Sequence, residues 1–139
     1  MPLFPRSLRL LLIESNPADS YLMVEGLRRA GLSETVTVVH DSTKALTHLS
    51  NESPPDLIFL DLNIAPLSGL ELLVRIRSDL KLETIPVIIV SGSQNSDDVH
   101  RAYRLGANCY VTKPGNLDDF LAYMKMSYEF WGAVATLPR

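Results

Sequence analysis

The sequence lacks the features that mark several large classes of protein. It has one cysteine, Cys109, among 139 residues, so neither an intrachain disulfide nor a cysteine-rich metal site can form. Its first apolar stretch, residues 8–13, contains Arg9 and ends at Glu14, which makes it too short for a signal peptide or a membrane span. The composition therefore predicts a cytoplasmic protein that does not enter a membrane.

Strong charge and glycine-rich phosphate loops are also missing. Thirteen basic and sixteen acidic residues give a net charge of −3, which is small and of the wrong sign for binding nucleic acid or an anionic membrane surface. Neither G-x-G-x-x-G nor G-x-x-x-x-G-K-[ST] occurs in the chain, which argues against nucleotide binding. We therefore expect no nucleic-acid partner and no bound organic cofactor.

What the sequence does contain is a repeated alternation of short apolar runs and helical patterns. The runs are residues 8–13, 36–39, 57–60, 87–90 and 109–111. The third and fourth runs are apolar at every position, which is typical of strands that are buried on both faces of a parallel sheet. Five such repeats in a chain of this length predict one α/β domain with helices on both faces of the sheet.

Helix starts are marked by capping residues. Asn16 can cap the first helix, with Pro17 at its first position and Asp19 in its first turn, where an acidic side chain suits the helix dipole. The other predicted starts are Asp41 or Ser42, Ser68, the cluster at residues 95–98, and Asn116. Gly31 and Gly106 are expected to end the first and fourth helices.

Chemically compatible side chains follow four of the five predicted strands. They are Glu14, Asp61, Ser91 and Lys113. Each one alone is explained by an ordinary turn or cap, but the carboxyl ends of parallel strands form one crevice, where all four would meet. Two carboxylates beside a lysine and a hydroxyl suit Mg²⁺ and a phosphoryl group. Asp61 is the candidate nucleophile and would form an aspartyl phosphate.

Three motifs resemble those of the bacterial response-regulator receiver domain: LIFLDLN at 57–63, IPVIIVSGS at 85–93 and GANCYVTKP at 106–114. The resemblance implies a flavodoxin-like, doubly wound (βα)5 fold over residues 1–126, with a five-stranded parallel sheet in the order 2-1-3-4-5. It also implies that a histidine kinase donates a phosphoryl group to Asp61 in a two-component phosphorelay. Such a protein is a signalling phosphoacceptor that catalyses only its own phosphorylation and dephosphorylation.

The same resemblance assigns roles to individual residues. Lys113 would pair with the phosphoryl oxygens, Ser91 would be the switch hydroxyl, and Tyr110 would be the aromatic residue that changes rotamer. Glu14 and Asp61 would bind Mg²⁺ through their carboxylates and Asn63 through its main-chain carbonyl. The bond before Pro114 would be cis.

Position 15 departs from the family pattern, and a smaller departure lies at residues 63–69, where Pro66 falls one place late and Ser68 replaces a common aspartate. Receivers usually end their first strand on two adjacent acidic residues, whereas here Glu14 is followed by Ser15. A serine hydroxyl coordinates Mg²⁺ weakly or through a water, so metal affinity is expected to fall at least about tenfold. The chain is therefore either a phosphorylated receiver or a phosphorylation-independent interaction module with a vestigial site. A third hypothesis, a flavodoxin-like enzyme or cofactor binder, is disfavoured because the sequence has no cofactor-binding loop.

The last helix carries more apolar residues than one buried face needs. The predicted core stripe is Leu117, Phe120, Leu121, Met124, Tyr128 and Trp131, and a second set is Tyr123, Met126 or Ser127, and Phe130. Residues 127–139 are predicted to extend this helix as an apolar tail that either folds over the core or forms a homodimer face with helices four and five. The ending FWGAVATLP resembles the tails of single-domain receivers that pair with phytochrome-type histidine kinases, which favours the dimer and suggests that partner.

Overall fold

The structure is a computed structural model that describes residues 8–32 and 36–138. Its centre is a five-stranded parallel sheet with the order β2-β1-β3-β4-β5. The strands are β1 (Leu10–Ile13), β2 (Val36–Val39), β3 (Leu57–Leu60), β4 (Val87–Ser91) and β5 (Cys109–Thr112). The predicted fold and strand order are confirmed. Every residue of β3 and β4 is buried, as their uninterrupted apolar runs indicated.

Helices connect successive strands and cover both faces of the sheet. They are α1 (Pro17–Arg29), α2 (Ser42–Asn51), α3 (Gly69–Arg77), α4 (Ser96–Arg104) and α5 (Leu117–Glu129), which continues as a turn of π-helix at Phe130–Val134. At the start of each of these five α-helices, the side chain of the capping residue accepts a hydrogen bond from a backbone N–H group of the first turn. The capping residues are Asn16, Asp41, Ser68, Asn95 and Asn116. In the part of the chain that the structure describes, no helix combines the length and apolar character needed to cross a membrane.

Close packing of α1 against α5 fixes the position of the α1 start relative to the loop after β5. A Cβ atom added at Gly26 of α1 would lie 2.7 Å from Met124 Cβ and 3.0 Å from the Leu121 carbonyl oxygen of α5. Only glycine allows the two helices to approach this closely. Both helices belong to one core layer, and α2, α3 and α4 cover the opposite face of the sheet.

The end of the chain packs partly against the same core layer. The predicted core stripe of α5 is buried at Phe120, Leu121, Met124 and Tyr128. Leu117, the first residue of α5, is instead 53% exposed, because the buried stripe begins one turn later at Phe120. Leu137 is buried and Trp131 packs partly against the core, while Val134 is exposed. The tail therefore folds back in part.

Two sequence expectations need comment. The predicted boundary between residues 126 and 127 lies inside α5, and residues 1–7, 33–35 and 139 of the two predicted segments lie outside the described residues. The expected cis bond at Lys113–Pro114 was wrong, since the cis bond among the described residues is Ala65–Pro66. An X–Pro bond prefers trans only weakly, so the surrounding loop decides its geometry.

Candidate functional site

The side chains that follow β1, β3 and β5 meet at one edge of the sheet. Lys113 Nζ lies 2.7 Å from Glu14 Oε1 and 3.2 Å from Asp61 Oδ2. Ser91, the last residue of β4, lines the same cavity as Asp61 and Lys113. The parallel strand order places these residues together, because all of the strands end at this edge.

The position of Asp61 is fixed by β3, which it follows, and by β1, to which its backbone bonds. Its backbone N–H donates to the Ile13 carbonyl at 2.9 Å, which continues the pairing of β3 with β1 beyond the last strand residue. Its Oδ1 accepts a bond from the Asn63 N–H at 3.1 Å, and its Oδ2 contacts Lys113. The residue is only 4% exposed, but it faces a cavity of about 710 Å³. Asp61 is therefore oriented and reachable.

Glu14 lies beneath this cavity and is fully buried. Its Oε1 contacts Lys113, and its Oε2 accepts a bond from the Asn16 N–H at 3.1 Å. Burial and a side-chain hydrogen bond with Asp61 raise the pKa of Glu14 to about 7, although Lys113 and the Asn16 N–H act in the opposite direction. The two neighbouring carboxylates therefore favour a cation between them.

Lys113 supplies that positive charge. Burial disfavours its ammonium form, but hydrogen bonds to Asp19 and Glu14, together with the charges of Asp61 and Glu14, outweigh burial and raise the pKa of Lys113. The side chain is only 14% exposed. Lys113 is thus a partly buried cation that contacts three carboxylates.

Asp19 is the site residue that sequence reasoning missed. Its Oδ2 lies 2.8 Å from Lys113 Nζ, and the residue lines the cavity beside Asp61. The sequence suggested only that Asp19 would suit the dipole of α1. A further signal was present, because only three residues separate the end of β1 from the start of α1 and the first turn of α1 therefore lies at the same edge of the sheet.

Ser91 and Tyr110 are connected through one residue of the loop after β4. The buried Ser91 Oγ accepts a bond from the Ser93 N–H at 3.3 Å, and the Tyr110 hydroxyl donates to the Ser93 carbonyl at 2.8 Å. The Ser93 hydroxyl in turn donates to Asp98 at 2.6 Å. A displacement of Ser91 would therefore reach Tyr110 through Ser93.

Comparison with known proteins shows the family to which this chain belongs. Residues 10–125 match the family described as the response regulator receiver domain. The chain belongs to this family. The receiver is 36% identical over 135 residues to response regulator Rcp1 of Synechocystis sp., a match that covers 93% of this chain and 92% of Rcp1. It is 30% identical over 127 residues to the probable methanogenesis regulatory protein FilR2 of Methanothrix harundinacea, covering 88% of this chain and 82% of FilR2.

Solved structures give the same answer. The phosphorylated cyanobacterial phytochrome response regulator RcpA superimposes on the receiver with a TM-score of 0.91 and 39% identity, covering 96% of this chain and 100% of RcpA. The Mn²⁺-bound form of Rcp1 gives a TM-score of 0.89 at 35% identity, covering 95% of this chain and 99% of Rcp1. The receiver is therefore a signalling protein of the two-component type, similar to phytochrome response regulators, as predicted.

At position 15, where the chain departs from the family pattern, a serine hydroxyl that can donate a hydrogen bond replaces a carboxylate. The Ser15 hydroxyl donates to the Asn63 main-chain carbonyl at 3.0 Å. That carbonyl is the group expected to bind a metal ion, and because a carbonyl oxygen has two lone pairs it keeps one for another partner. Both residues line the cavity with Asp61. Ser15 therefore contacts a predicted metal ligand.

Proposed function

We propose that the receiver is a phosphorylation switch in which Asp61 accepts a phosphoryl group from the phosphohistidine of a histidine kinase. An Asp61 oxygen attacks phosphorus, the P–N bond breaks with its electron pair passing to the imidazole, and an acyl phosphate forms. The observation that carries this proposal is the contact of Asp61 with Lys113 at 3.2 Å in an accessible cavity. The ammonium would bind the transferred phosphoryl oxygens and stabilise their charge.

The donor set at this cavity fits a divalent cation. The Asp61 carboxylate, the Asn63 carbonyl and the Ser15 hydroxyl are oxygen donors of the kind that Mg²⁺ prefers, and they border one cavity. Glu14 would act on the ion through its charge or through a water, because its Oε1 forms an ion pair with Lys113 and its Oε2 accepts the Asn16 N–H. When bound, Mg²⁺ neutralises phosphoryl oxygens. The Mn²⁺-bound form of Rcp1 supports this assignment.

The response to phosphorylation would pass through Ser91 and Tyr110. A phosphoryl oxygen on Asp61 would accept a bond from the Ser91 hydroxyl, and rotation of the Ser91 side chain toward that oxygen would break the bond that its Oγ accepts here from the Ser93 N–H. Because the Tyr110 hydroxyl bonds to the Ser93 carbonyl, this movement would free Tyr110 to change rotamer. Tyr110 also lines a groove between β5 and α5, so the signal would reach a surface for protein partners.

Acetyl phosphate with Mg²⁺, followed by intact mass measurement, tests the phosphoacceptor assignment. The wild-type chain should gain the mass of one phosphoryl group, and Asp61→Asn should gain none. Asp118→Asn is the control, because Asp118 lies in the first turn of α5 outside the cavity lining. A folded wild-type protein that stays unmodified would support the phosphorylation-independent interaction module instead.

The proposed partners are a phytochrome-type histidine kinase in the cytoplasm and a second copy of the chain. Similarity to phytochrome response regulators supports the kinase. The apolar face supports the homodimer, since Tyr103 of α4, Met126 of α5 and Phe130 of the tail are 48%, 56% and 49% exposed. Transfer of phosphate from such a kinase to the chain, but not to Asp61→Asn, tests the first partner.

Light scattering on the full chain tests the homodimer. A point substitution is a better test than a chain shortened to end at Ser127, because the shortened chain would also lose the buried Tyr128 and Leu137. Met126→Lys should shift a dimeric mass toward the monomer by placing a charge on the apolar face. Leu80→Lys is the control, because Leu80 is 86% exposed in the connection between α3 and β4. A monomeric wild type would contradict the homodimer.

A further inference from the structure

Two aspartates at equivalent helix positions have different partners. Asp19 and Asp119 are each the third residue of a helix that begins after an asparagine cap. In α5 the carboxylate stays local, because Asp119 Oδ2 accepts a bond from Asn116 Nδ2 at 2.8 Å. In α1 the corresponding carboxylate contacts Lys113 Nζ at 2.8 Å. A helix-dipole role alone does not explain the orientation of Asp19.

The first turn of α1 holds Asp19 firmly. Asn16 Oδ1 accepts bonds from the Ala18 and Asp19 N–H groups at 2.9 and 3.2 Å, and Pro17 limits the backbone at the first helical position. Packing at Gly26 then fixes α1 against α5. The Asp19 carboxylate is therefore presented to Lys113 by a capped turn on a docked helix.

More than one carboxylate holds the Lys113 ammonium beside Asp61. Its ammonium has three N–H donors, and the oxygens of Glu14, Asp19 and Asp61 lie within ion-pair distance. The contact with Asp19 is shorter than the contact with Asp61, at 2.8 against 3.2 Å. When one N–H turns to a phosphoryl oxygen, the other two carboxylates still hold the ammonium in place.

We propose that Asp19 is a positioning residue that holds the Lys113 ammonium beside Asp61. Its carboxylate also supplies an acidic group to the cavity in place of the one that is lost because position 15 is a serine. The inference rests on the proposed acceptance of a phosphoryl group by Asp61. Asp19 acts through Lys113 and does not touch the reacting atoms. Its side chain is 27% exposed and lines the cavity, so its charge also attracts cations to this edge of the sheet.

Phosphorylation rates of matched variants test the positioning role. With acetyl phosphate and Mg²⁺, Asp19→Asn should lower the maximal rate about tenfold, because Lys113 loses an anchor and pairs less often with the phosphoryl oxygens. Asp119→Asn is the matched control: it removes the carboxylate at the same helix position in α5, where the carboxylate bonds to Asn116 and not to Lys113. It should leave the rate unchanged. Asp19→Glu should recover part of the rate. Equal rates for wild type and Asp19→Asn would overturn the inference.

A double-mutant cycle tests the contact without any phosphorylation. In the wild-type background, Asp19→Asn removes a partner of Lys113 and should lower the urea midpoint of unfolding. In Lys113→Met, three carboxylates face one another without the ammonium, so Asp19→Asn relieves repulsion and should raise the midpoint. The same shift in both backgrounds would overturn the inference, even if wild type is phosphorylated normally. If wild type is not phosphorylated, the proposed function fails, whatever the cycle shows.

Discussion

The starts of α1 and α5 have the same local sequence pattern but different surroundings. Each has an asparagine cap that accepts an N–H bond from an aspartate three residues later. At the start of α5 the Asp119 carboxylate bonds back to the capping Asn116, whereas the Asp19 carboxylate of α1 contacts a lysine 94 residues away in the sequence. The difference shows that the local sequence determines the cap. The partner of the aspartate carboxylate depends instead on which side chains the tertiary fold brings next to it.

The largest expected effect comes from removing the partner that distinguishes the two helix starts. Lys113→Met leaves Glu14, Asp19 and Asp61 without their shared cation, and removing one partner of a buried ion pair costs about 3 kcal/mol of unfolding free energy. Urea unfolding measures this loss. A loss below about 1 kcal/mol would contradict the view that the ammonium balances these carboxylates.

This loss should depend on pH through Glu14. Its pKa is raised to about 7, above the ordinary value of 4.5, so the folded state binds a proton more readily than the unfolded state. Stability from that proton is complete below about pH 4.5 and is lost as pH rises through about 7. Without Lys113, which lowers the pKa of Glu14, the effect should grow. Lys113→Met should therefore be more destabilising at about pH 8 than at about pH 5, and the opposite trend would contradict this explanation.

A second way to break the comparison is to separate α1 from α5. Gly26→Val would place atoms into Met124 and the Leu121 carbonyl, and such overpacking costs about 1–3 kcal/mol. A displaced α1 would also carry Asp19 away from Lys113, so phosphorylation should slow while the cap of α5 is unaffected. Gly115→Val is the control, since a Cβ there meets nothing within 4 Å. Similar unfolding midpoints for both variants would show that the helices can separate at no cost.

The smallest effects sharpen the comparison at the caps themselves. Asn16→Ala and Asn116→Ala should each cost about 1 kcal/mol, because each helix loses a side-chain acceptor for its free N–H groups. Only Asn16→Ala should also slow phosphorylation by acetyl phosphate, since its turn presents Asp19 to Lys113. Equal rates for the two variants, despite equal losses of stability, would show that the α1 turn has no role in the site.

Much of the fold could be predicted because its signals are local. The apolar runs and capping residues placed all five strands and all five helix starts, with small errors such as β1 beginning at Leu10 instead of residue 8. The groups at the strand ends could also be named in advance, since parallel strands end at one edge of the sheet. The packing of the tail could not, because the apolar pattern of α5 suits burial under Leu137 as well as burial by a second chain.

The sequence by itself determined the elements, their order and the chemistry available at the sheet edge, because periodicity and capping act over a few residues. The tertiary structure decided which groups touch. It buried Glu14 beneath the cavity, directed the Ser15 hydroxyl to the Asn63 carbonyl, and turned Asp19 toward Lys113. These contacts join residues far apart in the chain, and their distances depend on how closely whole helices pack, as Gly26 allows for α1 and α5.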